Sequence, residues 1–333
     1  MLKIACCALM ALLLGCATAA LAADSVEPAG CSLSSVVQGG GMITKFKHKV
    51  SIGDYRRNTP YDTMQSGFGE VAADLQCATW TFQADAAFYS FTTNGTYIFD
   101  NYDMAVYQGH IGGAIFNRKD DLGMIGLSGS RVLHHQKIDF VSPFNGIDID
   151  YRDGAGYWRV GGFGEFYAGD ALTLGAGAYY INGDWLKFGK SDNHFTEKGL
   201  EAFATLKYYP MDELAINLRG DILNSKIKGG EPFKFTGYAL SAEAEYLVRD
   251  THLSFFAGAR YADRTLKSDF TKYSIVDKQA FLGLRFTFGG PVSSSLGNRD
   301  RHGSYDNTSV FLEKLPTGAV ANERVFLSSE LIE

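Results

Sequence analysis

Between residues 79 and 288 the side chains alternate between polar and apolar with a period of two. Thr79, Thr81, Gln83 and Asp85 interleave with Trp80, Phe82, Ala84 and Ala86. Successive side chains of a β-strand leave opposite faces, so this pattern gives one wet face and one greasy face. Tyr157, Arg159, Glu165 and Tyr167 oppose Trp158, Val160 and Phe166, and Glu201, Phe203, Thr205 and Lys207 oppose Leu200, Ala204, Leu206 and Tyr208. The same division recurs in 238–246, 253–261 and 280–288. The reading is all-β and antiparallel. A hydrophobic content of 46% with a mean hydropathy of only -0.09 agrees, because the apolar residues are interleaved rather than run together.

An antiparallel sheet hides its greasy face in a core or in lipid. Aromatics near the strand ends (Trp80, Tyr208, Tyr246, Tyr261, Phe288), with small or aliphatic residues between them, suit the interfacial girdles of a membrane barrel. The links also alternate. Short ones are expected at 76–78, 117–121, 168–170, 209–213 and 249–251. Long ones are expected at about 54–66, 90–101, 134–153, 183–196, 226–236 and 264–277. Short periplasmic turns and longer outer loops are the outer-membrane pattern. If the strand over 278–288 runs down to the periplasm, Gly41 to Gly53 must supply the first strand, with Met42, Phe46, Val50 and Ile52 on its greasy parity. The expectation is a transmembrane up-and-down barrel of about twelve strands, within a range of ten to fourteen.

Met1-Leu2-Lys3, the apolar run Ile4 to Gly15 and Ala20-Leu21-Ala22-Ala23 read as a Sec leader covering 1–23. Leu13-Leu14-Gly15-Cys16 also resembles a lipobox. The expected divisions are then a leader (1–23), an N-terminal periplasmic segment (24–40), the barrel (41–288) and a periplasmic tail (289–333). After the leader two cysteines remain. Cys31 precedes the first strand and Cys77 sits in the first short turn, both on the oxidising side, so a disulfide between them is expected. A net charge of -6, without basic runs, gives no footprint for nucleic acid.

Gly283-Leu284-Arg285-Phe286-Thr287-Phe288 resembles the closing-strand signal read by the outer-membrane assembly machinery, carried by Gly283, Phe286 and Phe288. The polar position before that glycine is Phe281 here, a departure from the signal. Ser295-Leu296-Gly297-Asn298-Arg299-Asp300-Arg301-His302-Gly303 resembles the S-L-x-x-R-D-R-x-G tail of a group of alphaproteobacterial, porin-like outer-membrane barrel proteins. The resemblance implies the bacterial outer membrane as location, with its lipids, lipopolysaccharide and assembly machinery as partners.

Strand parity sends Asp85, Arg159, Glu165, Glu201, Lys207, Arg219, Asp221, Glu243, Glu245, Arg260 and Arg285 into the lumen, with Glu70 and Asp74. Charges in a confined interior need partners or water. They imply either a salt-bridged, partly plugged lumen or a narrow, cation-leaning channel. The leading functional expectation is porin-like passage of small solutes, non-enzymatic and without cofactor or metal. Two alternatives stay open. One is a lipid hydrolase using the His134-His135 loop with Ser128 or Ser130 on the outer face. The other is a closed barrel with a structural or adhesive role. Asp148-Ile149-Asp150-Tyr151-Arg152-Asp153-Gly154 departs from the spacing of a calcium loop and is expected to be a solvated acidic loop.

Overall fold

The computed structural model describes residues 30–306, apart from 53–54, 59–61, 98–99, 120, 142–147, 186–194, 229–232, 270 and 290–294. The expected leader lies outside the described residues. The elements are β1 (Cys31–Ile52), β2 (Tyr55–Asn58), β3 (Asp62–Cys77), β4 (Trp80–Tyr97), β5 (Asp100–Lys119), β6 (Gly123–Val141), β7 (Asp148–Tyr167), β8 (Leu172–Trp185), β9 (Phe195–Met211), β10 (Leu214–Lys228), β11 (Phe233–Leu247), β12 (Leu253–Lys267), β13 (Thr271–Phe288) and the helix α1 (Leu296–His302). Each strand pairs antiparallel with its neighbour, and β13 pairs with β1, which closes the sheet. β2 and β3 lie along the same edge of β1, so they form one interrupted stave. The barrel therefore has twelve staves, as the sequence implies.

Each wall is built in two storeys with opposite polarity. Near the short turns the apolar side chains point outward. On β13 Leu282 is 68% exposed, and on β10 Ile222 is 63% exposed. Farther up the same strands the apolar side chains point inward, and Ile275 of β13 and Ile227 of β10 expose 1% and 0%. Lys272, Asn224 and Lys226 take the outer face there. The lower storey is edged by aromatics. Phe166 and Trp158 on β7, and Tyr246 and Tyr238 on β11, are exposed and eight residues apart. That spacing is about 26 Å of strand, or about 20 Å of height at a tilt near 40°, close to the hydrocarbon band a barrel must match. In the upper storey Met42, Phe46, Met64, Phe91, Val132 and Ile181 pack inside the barrel as a dry core.

This inversion corrects several expectations. Met42 and Phe46 face the lumen, whereas Ile43 between them is exposed, because this part of β1 lies where the wall passes into the upper storey. The links expected to be long are mostly strand: β6 runs to Val141, β7 starts at Asp148, and β12 and β13 are separated by 268–270. Polar-out, apolar-in strands in water read as loop when the outer face is expected to be greasy. Residues 148–154 are β7 backbone rather than an acidic loop. The barrel begins at Cys31, not 41, so most of the expected N-terminal segment is wall.

Cys31 and Cys77 are register partners, joined by a disulfide with Cα atoms 4.2 Å apart. Cys77 ends β3 and does not lie in the turn; Ala78, at a φ of 54°, makes that turn with Thr79. At the closing seam Gly40 faces Gly283. A methyl group on Gly40 would lie 2.1 Å from the Leu282 carbonyl oxygen, and one on Gly283 would lie 2.5 Å from the Gly39 oxygen and from the Phe256 ring. The assembly-signal glycine is thus a position where the two edge strands approach too closely for any side chain. Phe286 and Phe288 stack on each other at the turn end of that seam.

Gly40→Val is expected to block β1–β13 pairing, read as loss of the compact, heat-modifiable form on gels. Leu282→Arg should destabilise the inserted barrel by about 2–4 kcal/mol, near the midplane value. Ile275→Ala should cost about 2–5 kcal/mol through a cavity in the upper core. Asn224→Arg, exposed on the outer face of β10, should be nearly neutral in denaturant titrations in vesicles.

Candidate functional site

The charges that the sequence directs inward collect in the lower storey, as pairs held by neighbouring strands. Arg159 on β7 reaches Glu201 on β9 at 3.2 Å and lies 3.5 Å over the Tyr179 ring; both charged groups are buried. Arg219 and Asp221, two residues apart on β10, pair at 2.8 Å, and Arg219 covers Phe203. Lys207 stands 3.8 Å from Glu165. Arg285 bridges Glu243 and Glu245. Arg260 donates to Gln279 at 2.9 Å over the Phe281 ring, since Gln279 is its cross-strand partner. Asp85 pairs with His110. Sequence reasoning missed His110, as well as the Arg264–Asp277 pair buried in the upper storey.

The larger omission is the C-terminal segment. Residues 295–306 turn back under the barrel and enter the lumen from the short-turn end, a docking that the sequence did not reveal. Leu296 is buried against Tyr209, Ala215 and Leu247, and its amide donates to the Asp212 carbonyl at 2.7 Å. Arg299 donates to Glu245 at 2.6 Å and to Ser254 at 3.1 Å. Arg301 lies over Tyr167 and donates to the carbonyls of Gly169, Asp170 and Leu172 in the β7–β8 turn. Tyr209 donates to Asp300 at 3.3 Å, and Arg118 donates to the Gly303 carbonyl at 2.7 Å. Ser304 bonds Asp74.

Tyr305 forms the tip of this plug. Its ring stacks on Phe163 at 3.5 Å, its hydroxyl meets that of Tyr179 at 2.6 Å, and its backbone exchanges two 2.7 Å hydrogen bonds with the Gln83 amide. Burial pushes the Tyr305 phenol well above its ordinary pKa, so it stays protonated. Asp306 stands 3.7 Å from Arg219. The motif positions Leu296, Arg299, Asp300, Arg301 and Gly303 all bind the wall, so the tail pattern that resembles other barrels is here a docking surface. A cavity of about 180 Å³ remains beside the plug, lined by Gln38, Glu70, Asp85, His110, Asn217 and the tail.

The outer-face Ser–His arrangement is not formed. Ser128, Ser130 and His134 point inward and are buried, with His134 edge-on to Tyr157. His135 points outward and stacks on Tyr107. Among the described residues no group of three or more His, Cys, Asp or Glu side chains could hold a metal ion.

No protein-family model matches the sequence, and a search of curated proteins gives no match. Solved structures do resemble it. The translocator domain of the autotransporter NalP from Neisseria meningitidis superposes with a TM-score of 0.50 and 14% identity, covering 84% of this chain and 97% of that one. The beta domain of the Bordetella autotransporter BrkA gives 0.46 and 13%, covering 75% and 99%. The Pseudomonas putida toluene transporter TodX gives 0.39 and 10%, covering 78% and 90%. The first of these establishes a shared barrel fold.

Burial works to raise the Asp300 carboxyl, but Arg299, Lys207 and Arg285 outweigh it and hold the carboxyl below the ordinary value of 3.8. A depressed carboxyl stabilises the docked tail above that ordinary value and ceases to do so as pH falls through the lower, docked one. A spin label on Asn298→Cys is therefore expected to stay immobile from neutral pH down to about 4 and to loosen below it. Asp300→Asn should weaken docking at neutral pH and flatten that acid dependence.

Proposed function

We propose that the chain is an outer-membrane barrel that stands closed, a non-enzymatic scaffold that presents its upper storey outside the cell. The observation that carries this reading is the dry core of the upper storey. Phe46, Met64, Phe91, Val132, Ile181 and Ile227 point into the barrel and expose 1% or less. Side chains lining a water-filled pore must be wet. In the upper core the buried charges Arg264 and Asp277 pair with each other, while the larger set of inward charges lies in the lower storey, where the tail occupies the lumen. The fold shared with the NalP translocator domain and the resemblance of the tail support the placement in the outer membrane.

A second reading is favoured by the cavity beside Tyr305 and by the polar character of the docked tail: a passage for small solutes that the tail shuts. Planar-bilayer recordings separate the two. The full chain is expected to show no unitary conductance, and steps from it would overturn the closed state altogether. A chain ending at Gly289, and the full-length Arg299→Ala/Tyr305→Ala variant, should remain silent because the upper core persists. Discrete steps from either variant would select the plugged passage instead.

A further inference from the structure

Strand pairing assembles a feature that the linear sequence conceals. Lys198 on β9 pairs with Lys226 on β10, Lys226 with Lys234 on β11, Lys234 with Lys267 on β12, and Lys267 with Lys272 on β13. Five neighbouring strands thus carry a lysine at the same register. All five are exposed. Each lies on the parity that carries Leu200, Ile222, Leu240, Phe255 and Leu282 lower down, so all five ammonium groups leave the outer wall on one side of the barrel. At about 4.8 Å per strand the row is about 19 Å long.

Like charges placed directly opposite one another on a sheet repel. Among the described residues only Asp263, which feels the charge of Lys272, lies near enough to offset any of them. The outward positions immediately below the row are Leu200, Asn224, Thr236 and Thr265, and none is charged. The first carboxylate on this face, Asp263, is two outward steps below Lys267, and Asp269 stands in the link above. Among the described residues none of the five lysines has a salt-bridge partner. A row of this kind is stable where a polyanion covers it.

Its position indicates which one. Lys198 stands one outward step above Leu200, 61% exposed and the last apolar residue of the β9 belt. On the seam strands the corresponding edge carries Lys278 and Lys45, paired with each other above Leu282 and beside the exposed Ile43. The strands are tilted, so the paired row climbs obliquely from the hydrocarbon edge at Lys198 to a point about 12 Å higher at Lys272. The short turns and the plug occupy the opposite end, which places the lysines at the outer leaflet.

We propose that this wall binds the phosphate-bearing headgroup of an outer-leaflet glycolipid, with Lys198, Lys278 and Lys45 at the level of the lipid phosphates and the remaining lysines along the anionic sugar core above. Apolar residues directly below, Leu200, Ile222 and Leu240, receive the acyl chains. The inference rests on the outer-membrane placement proposed above, whose failure is read separately as absence of the protein from the outer-membrane fraction. It does not depend on whether the lumen conducts.

The test uses the full chain purified in detergent and titrated with lipopolysaccharide truncated to the inner core, followed by native mass spectrometry. Unaltered protein is expected to bind at least ten-fold more tightly than a variant with all five lysines changed to glutamine (K198Q, K226Q, K234Q, K267Q, K272Q). The corresponding five-arginine variant should retain binding, and Lys119→Gln at the opposite end should bind like the parent. Heat-modifiable gel migration verifies that each variant is folded. Equal binding by the glutamine variant would overturn the proposal. So would equal binding of enzymatically dephosphorylated glycolipid, loss of binding in the arginine variant, or displacement by inorganic phosphate at equal concentration.

Discussion

Hydrocarbon and water make opposite demands on a closed sheet, and these strands are long enough to meet both. A wall in lipid must put its apolar side chains outside and its polar ones inside, while a wall in water must do the reverse. A strand needs about 9–11 residues to cross the bilayer. β1 has 22 and β13 has 18. The excess lies beyond the membrane, and there the apolar side chains change faces. That exchange gives the protein two interiors: a dry core above, resembling that of a soluble barrel, and a charged chamber below.

The lower chamber explains the tail. Twelve staves leave a space too wide to be filled by the wall side chains alone at this level, yet too narrow to hydrate every charge fully. Arg159 and Glu201 bond one another, but Asp74, Gln83, Arg118 and Glu245 each take a hydrogen-bond partner from residues 299–305. Removing one partner from such a pair leaves a buried charge uncompensated, which costs more than the pair itself contributes. The tail therefore stabilises the chamber as much as it obstructs it.

Alternation made the lower storey legible residue by residue: Glu201, Phe203 and Thr205 against Leu200, Ala204 and Leu206 could be assigned to faces without any structure. The upper storey was not legible in the same terms, because Met42 and Phe46 obey the same period with the opposite sense, and nothing in a single strand marks the level of the membrane. Parity placed Arg260 on the correct face, but only register names its neighbour Gln279, since the period of a strand fixes the face and not the partner. The lysine row is the extreme case. Its members are scattered between residues 198 and 272, and no window of sequence contains a basic run.

The order of assembly follows from the same contacts. β13 ends at Phe288, and Gly289, at a φ of 72°, redirects the chain so closely beneath β1 that a methyl group there would meet the Leu33 carbonyl oxygen at 2.3 Å. Only a glycine, with no side chain, fits where the chain passes beneath β1 in the closed seam. The surfaces that receive the tail, Asp74 on β3, Gln83 on β4, Phe163 on β7, Glu245 on β11 and Ser254 on β12, come from strands spread round the sheet and converge only in a closed barrel. Docking of the tail is thus a consequence of closure. Once made, its bonds to strands far apart in the sheet resist any opening of the seam, so that twelve staves joined at a glycine contact are braced from inside by the segment that follows them.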